Sequence, residues 1–229
     1  MKILIVSATT EEILPFLKWV EENPSEDHQI DTLVTGVGLV ATTFHMTFVL
    51  AHNEFDLVIQ AGIAGSFRKN IPIGQTVFVV SETFADLGSE DKDGALISAF
   101  DMGFIKKDEF PFTAGKILNP AAEKAGFLRQ VHAVSSNTSH GNQAAIDMII
   151  NKFDPDIETM EGAAFFYACR MMNVPFLEIR AISNYVEPRN KENWNIPLAI
   201  DKLNETIIGI VNVLITTSNE QKTSKKIQK

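Results

Sequence analysis

Apolar residues along the chain fall into short unbroken blocks separated by amphipathic stretches, and this alternation predicts the elements. Residues 2–7, KILIVS, form a continuous apolar run closing in a small residue, the pattern of a strand buried on both faces of a parallel-type sheet. Thr9 or Thr10 can cap a helix with Glu11 and Glu12 in its first turn and Ile13, Phe16, Leu17 and Val20 along one side, ending near Asn23-Pro24. Further buried strands are predicted at 30–35, 56–60, 75–81, 131–135, 157–159 and 176–182, with helices at 40–52, 144–153, from 162 onward and at 196–215. Residues 96–112 mix Gly, Phe and charge without a period and read as a surface loop over a crevice, built as a mobile lid would be. Residues 218–229 are polar and lysine-rich and read as a frayed, disordered tail. Strands alternating with helices imply an α/β layered sheet, and a chain of 229 residues can bury its core as one domain, placed at 1–217.

Two glycine-rich stretches and one acid-rich stretch invite functional readings. GVGLVA at 36–41 fits G-x-G-x-x-A after a strand, but the acid expected about 20 residues on, at the end of the next strand, is missing. Asp56 stands at that strand's start, so the glycines read as an aid to tight strand-helix packing. In AGIAGSF, Gly62 and Gly65 read as a turn whose N–H groups can approach a ligand. Glu82, Asp86, Glu90 and Asp91 lack the alternate-position spacing of a calcium loop and have no histidine pair beside them, so no metal is expected.

Composition narrows the partners. A formal net charge of -9 opposes binding to nucleic acid or to an anionic membrane surface, which leaves a small molecule. The lone cysteine, Cys169, reads as a buried small hydrophobe in a reducing compartment. The start lacks a secretory h-region and no apolar run approaches membrane-spanning length, so the expected location is cytoplasmic. No nucleophile elbow, H-E-x-x-H or P-loop is present, and carboxylate chemistry remains.

That chemistry centres on IETMEGAA, residues 157–164. Met160 and Glu161 stand at a strand-to-helix switch, where ligands of open α/β sheets bind. A Glu161 carboxylate there either meets helix N–H groups, as the macrodipole favours, or presents two oxygens to a ligand such as a vicinal diol. Glu12, Glu161 and Asn184 each follow a strand's carboxyl end, which places them on one side of the sheet.

The motifs VSATTEEI, QAGIAGSF, TMEGAA and RAISN together, in this order, resemble the purine nucleoside phosphorylase and nucleosidase superfamily over nearly the whole chain. The resemblance implies a three-layer α/β/α sandwich with a twisted mixed central sheet, cleavage of the bond between ribose and purine, no cofactor, and a homo-oligomer in which a neighbour completes the 5' pocket. It implies that Met160 packs under the sugar, Glu161 holds both ribose hydroxyls and Glu12 positions and deprotonates the attacking water. Phosphorylases of the family carry Arg in place of Glu12, and Arg and Ser flanking the third-strand turn, where this chain has Gln60 and Ile63. Water is therefore favoured over phosphate, which a carboxylate would repel. Asn184 stands where adenine-cleaving members commonly have Asp, and an amide that donates without transferring a proton suits a 6-oxopurine. Ile63, Ser183, Thr138, Ser139 and His140 are implied to line the ligand, His140 equally readable as a surface turn residue, and Arg180 reads as a structural ion-pair partner. FADLGSED and RAISNYVEPRN resemble the futalosine-hydrolysing branch. The alternatives are cleavage of methylthioadenosine or adenosylhomocysteine, and a nucleoside-binding protein without turnover.

Overall fold

The computed structural model describes residues 1–25, 28–92, 94–122 and 126–227, with the backbone alone from 218. In chain order the elements are β1 (Lys2–Ser7), α1 (Thr10–Glu22), β2 (Gln29–Val34), α2 (Leu39–His52), β3 (Leu57–Ser66) and β4 (Thr76–Phe84). Then come β5 (Gly88–Glu90), β6 (Leu96–Ser98), β7 (Phe112–Thr113), β8 (Lys116–Leu118), β9 (Arg129–Ser135) and α3 (Gln143–Phe153). The chain continues through β10 (Ile157–Thr159), α4 (Gly162–Met171), β11 (Phe176–Tyr185), a 3-10 turn (Lys191–Asn193) and α5 (Ile196–Ile227).

Continuous apolar strands bury both faces, and here each face has its own core. Ile3 and Ile5 of β1 pack with Ile13 and Phe16 of α1 and Leu203 and Ile207 of α5, whereas Leu4 and Val6 pack with Met46 and Leu50 of α2 and Phe165 and Phe166 of α4. The result is three layers around a mixed central sheet, as the sequence motifs imply.

The sheet does more than lie open. β1 pairs in parallel with β2 and with the first half of β3, and β11 runs parallel to β3 along its other edge. Past the end of β1, Gly65 and Ser66 of β3 pair with Glu158 and Ile157 of β10. β10 continues to β9, β9 to β4 and β4 to β11, so β3, β11, β4, β9 and β10 close a circuit. A closed circuit leaves no strand edge in its path and gathers the strand ends around one mouth.

Several expectations change. Residues 61–66 continue β3 rather than turning, because Gly62 and Gly65 serve close side-chain approach inside a strand. Glu82 lies within β4, fully buried, and not in an acidic loop. Residues 96–112 include β6, paired with β5, and Phe100 packs edge-on to Phe112 at 5.0 Å, so the segment is anchored rather than a free surface loop. The closing helix runs beyond Ile215 to Ile227: the expected tail continues it as backbone, Glu, Gln and Lys being good helix formers with no Gly or Pro among them. No described helix is long and apolar enough to cross a membrane.

Candidate active site

Beyond the carboxyl ends of β1, β3, β10 and β11 lies a cavity of about 320 Å³. Glu12, Ile63, Ser139, His140, Met160, Glu161, Ser183 and Asn184 all line it. Thr138 does not; it is exposed, and its carbonyl accepts from the Ser136 hydroxyl at 2.6 Å. Among the described residues, none of 96–112 lines the cavity wall.

Glu12 caps its helix and also lines the cavity. Thr9 is the N-cap of α1 and Glu12 completes the capping box, its carboxylate accepting from the Thr9 N–H at 3.1 Å. The same carboxylate is buried against the cavity and accepts from Ser7 Oγ at 3.1 Å and from the Ile63 N–H at 3.0 Å. Its helix turn is tied from behind. The Asn204 side-chain amide of α5 donates to the Glu12 carbonyl at 2.8 Å and accepts from the Phe16 N–H at 2.9 Å.

Glu161 is the N-cap of α4, yet its side chain makes no capping bond to that helix. It reaches across to α2, where Oε1 accepts from the Gly38 N–H at 3.0 Å, while Oε2 faces Arg180 Nη1 at 3.5 Å. The GVG stretch is thereby explained, since Gly38 takes φ +94°, a conformation natural to glycine, and aims its N–H at Glu161. The next N–H, of Leu39, is taken by the Asn137 side chain at 3.1 Å.

Behind the cavity one guanidinium serves several carboxylates. Arg180 is buried, donates through Nε to Glu178 at 2.7 Å and lies over Gly62, where any side chain would collide with it. Burial opposes the Arg180 charge, but Glu178 and Glu161 outweigh it and its pKa is raised. Glu82 is pushed well above the usual carboxylate range, first by burial and then by the charge of Glu178, although Ser135 and Thr159 donate to it. Glu178 is raised by burial as well, with Arg180 opposing the shift. One cation cannot neutralise this many buried acids, and a proton on Glu82 relieves the group.

At the other end, a β-bulge in β11 between Ile182 and Asn184 turns Ser183 and Asn184 toward the cavity. The Asn184 amide is held, Oδ1 accepting from Ser183 Oγ at 2.7 Å and Nδ2 donating to the Tyr185 carbonyl at 3.0 Å. Glu158 and Trp194 also line the cavity and were not singled out from the sequence. A charged residue inside the apolar strand IET was the available signal for Glu158; nothing local marks Trp194.

Comparison with known proteins places this geometry. The family model described as the phosphorylase superfamily matches residues 2–215. The chain belongs to that superfamily. Within the phosphorylase superfamily it is 33% identical over 190 residues to the futalosine hydrolase of Streptomyces coelicolor, covering 80% of this chain and 79% of the relative. It is 29% identical over 207 residues to the 5'-methylthioadenosine/S-adenosylhomocysteine nucleosidase of Maridesulfovibrio salexigens, covering 81% of this chain and 87% of that one. Among solved structures, the futalosine hydrolase of Helicobacter pylori superposes with a TM-score of 0.75 at 20% identity, covering 93% of this chain and 97% of its own. The superfamily fold is therefore this chain's fold.

Proposed function

We propose that the protein hydrolyses the N-glycosidic bond of futalosine, releasing hypoxanthine and dehypoxanthine futalosine, as a step of menaquinone biosynthesis in the cytoplasm. The observation that carries the reading is the charge of the cavity wall: Glu11, Glu12, Glu158 and Glu161 line it, and no Lys or Arg does among the described residues. A phosphate dianion entering there would face carboxylates; Arg180, behind the wall, is already engaged by Glu178 and Glu161, and Arg189, next to lining residues Ser139 and Trp194, donates to the Ser139 hydroxyl at 3.4 Å and stacks over the Trp194 ring. At about 4 Å each like-charge pair costs several kcal/mol at protein-like dielectric. Water carries no such cost and is the nucleophile.

Glu12 holds and deprotonates that water, Glu161 binds the ribose hydroxyls, and Met160 packs beneath the sugar as the C1'–N9 bond loosens into an oxocarbenium-like state. Ser183 and Asn184 address the base. The Ser183 hydroxyl fixes the amide so that one Nδ2–H remains for an acceptor on a 6-oxopurine. Identity to the Streptomyces coelicolor futalosine hydrolase supports this choice over the methylthioadenosine reading, which the 29% relative keeps as the competitor.

The active form is a homo-oligomer. Val40, Phe44 and Phe48 form an exposed apolar stripe on α2, and Val37, one turn before it, lines the cavity. The test of function is a chromatogram of purified protein with futalosine in phosphate-free buffer, which should show hypoxanthine. A requirement for phosphate, faster cleavage of methylthioadenosine, or binding without turnover each overturns the assignment.

A further inference from the structure

The cavity holds one hydrogen-bonded carboxyl–imidazole pair that the mechanism above leaves idle. Glu158 of β10 is 7% exposed and accepts at both oxygens from His140, from its backbone N–H at 3.1 and 3.3 Å and from ring Nδ1 at 2.7 Å. A carboxylate so placed keeps a proton on Nδ1 and leaves Nε2 for another partner. Nε2 has none among the described residues, although the His140 side chain is only 15% exposed and lines the cavity.

The pair stands beside the residue that addresses the base. Glu158 Cγ and Asn184 Nδ2 each lie 3.3 Å from the position a methyl group on Gly65 would occupy, so both rest on the same patch of β3. Asn184 is an amide with no acidic proton to transfer; held by Ser183 and Tyr185, it keeps one Nδ2–H with which to orient the base. A purine leaving with the bonding electron pair needs a proton, and within this wall the imidazole is the group able to deliver one.

We propose that His140, held at Nδ1 by Glu158, is the general acid that protonates the departing purine, with Asn184 orienting the base. As the C1'–N9 bond breaks, its electron pair passes to the purine and N7 takes the proton from Nε2 of the imidazolium. The attacking water bonds to C1' and yields its proton to Glu12, and exchange with solvent restores both groups. No other reactant is needed. This inference rests on the futalosine reading.

The experiment compares wild type, His140→Gln and Glu158→Gln on futalosine and on N7-methylfutalosine, whose base is already cationic and cannot accept a proton at N7. The two nucleosides are measured in the same preparation, so partial unfolding cancels from their ratio. His140→Gln should lower kcat on futalosine on the order of 10²-fold while changing that on N7-methylfutalosine by less than about threefold. Glu158→Gln should shift the ratio in the same direction by a smaller factor. Parallel losses on both nucleosides, or full futalosine activity in His140→Gln, would overturn the assignment of His140 alone. A wild type that releases no base from futalosine overturns the functional reading beneath it.

Discussion

Glu12 and Glu161 look alike in sequence, two acids next to helix starts, but their partners separate their work. Glu12 takes three donor groups from Ser7 and Thr9 and one from Ile63, an arrangement that holds a base in place before substrate arrives. Glu161 takes one N–H from Gly38 and faces Arg180, leaving acceptor capacity toward the cavity. Glu12→Gln should therefore lower kcat by on the order of 10²-fold or more with KM nearly unchanged. Glu161→Gln should raise KM as well as lower kcat, since charge-assisted bonds to a diol form before the transition state and persist through it. Steady-state kinetics of the two variants decide this, and equal KM values would remove the distinction. Glu82 is different again, an acid whose pKa is raised in the folded protein above its ordinary value of 4.5 by burial and by Glu178. Above pH 4.5 the unfolded chain gives up this proton while the folded protein keeps it, so this residue's contribution to stability declines as pH rises toward the folded pKa. Glu82→Gln mimics the protonated form, and its melting temperature should fall less than that of wild type between about pH 5 and pH 8. Parallel melting curves across that range would show that Glu82 is ionised.

At the scale of elements, β3 shows how a strand can build a site without a loop. Its first half pairs with β1 and its second with β10, and the glycines in its second half are where side chains from other strands press against it. Gly62 accommodates Arg180, and a methyl group there would collide with Nη1 and lie 3.2 Å from Glu12 Oε1. Gly62→Ala should cost roughly 1 to 3 kcal/mol of stability, the usual scale for overpacking. It should also reduce turnover at least roughly tenfold by displacing Arg180 or Glu12. Denaturant melts with kinetics on the same preparation test this, and normal activity would mean that Arg180 has room to move. The extension of β3 beyond Gln60 was not legible locally, because AGIAGS carries turn residues and only the flanking strands show that it is paired on both sides.

For the whole molecule, the closed circuit of β3, β11, β4, β9 and β10 sets the cavity on one side, and α2 carries an apolar stripe at its border. Phe44 and Phe48 stack at 6.4 Å between centroids and are 64% and 58% exposed, an arrangement a partner copy would cover. If the proposed homo-oligomer forms through this stripe, replacing both with Glu should lower the mass measured by light scattering to that of one chain and slow the proposed cleavage of futalosine. An unchanged mass would place the interface elsewhere.

The linear pattern sufficed for an α/β layered sheet, since strands apolar on both faces alternate with amphipathic helices, while the three-layer sandwich was what the resemblance of the motifs implied. The pattern also placed Glu12 and Asn184 at one mouth, because β1 and β11 both run parallel to β3; Glu161 reaches the same mouth from β10, which runs antiparallel to the end of β3. What it left open was decided by contacts between distant segments. Gly38 meets Glu161 across 123 positions, and Glu82 comes to share its burial with Glu178 only once β4 and β11 are paired. The His140–Glu158 bond likewise forms because β9 and β10 run side by side and bring the turn after one against the other. Local periodicity reports which face of an element is buried; it carries no record of which remote amide or acid that face will meet, and those meetings set the charges and directions on which the chemistry depends.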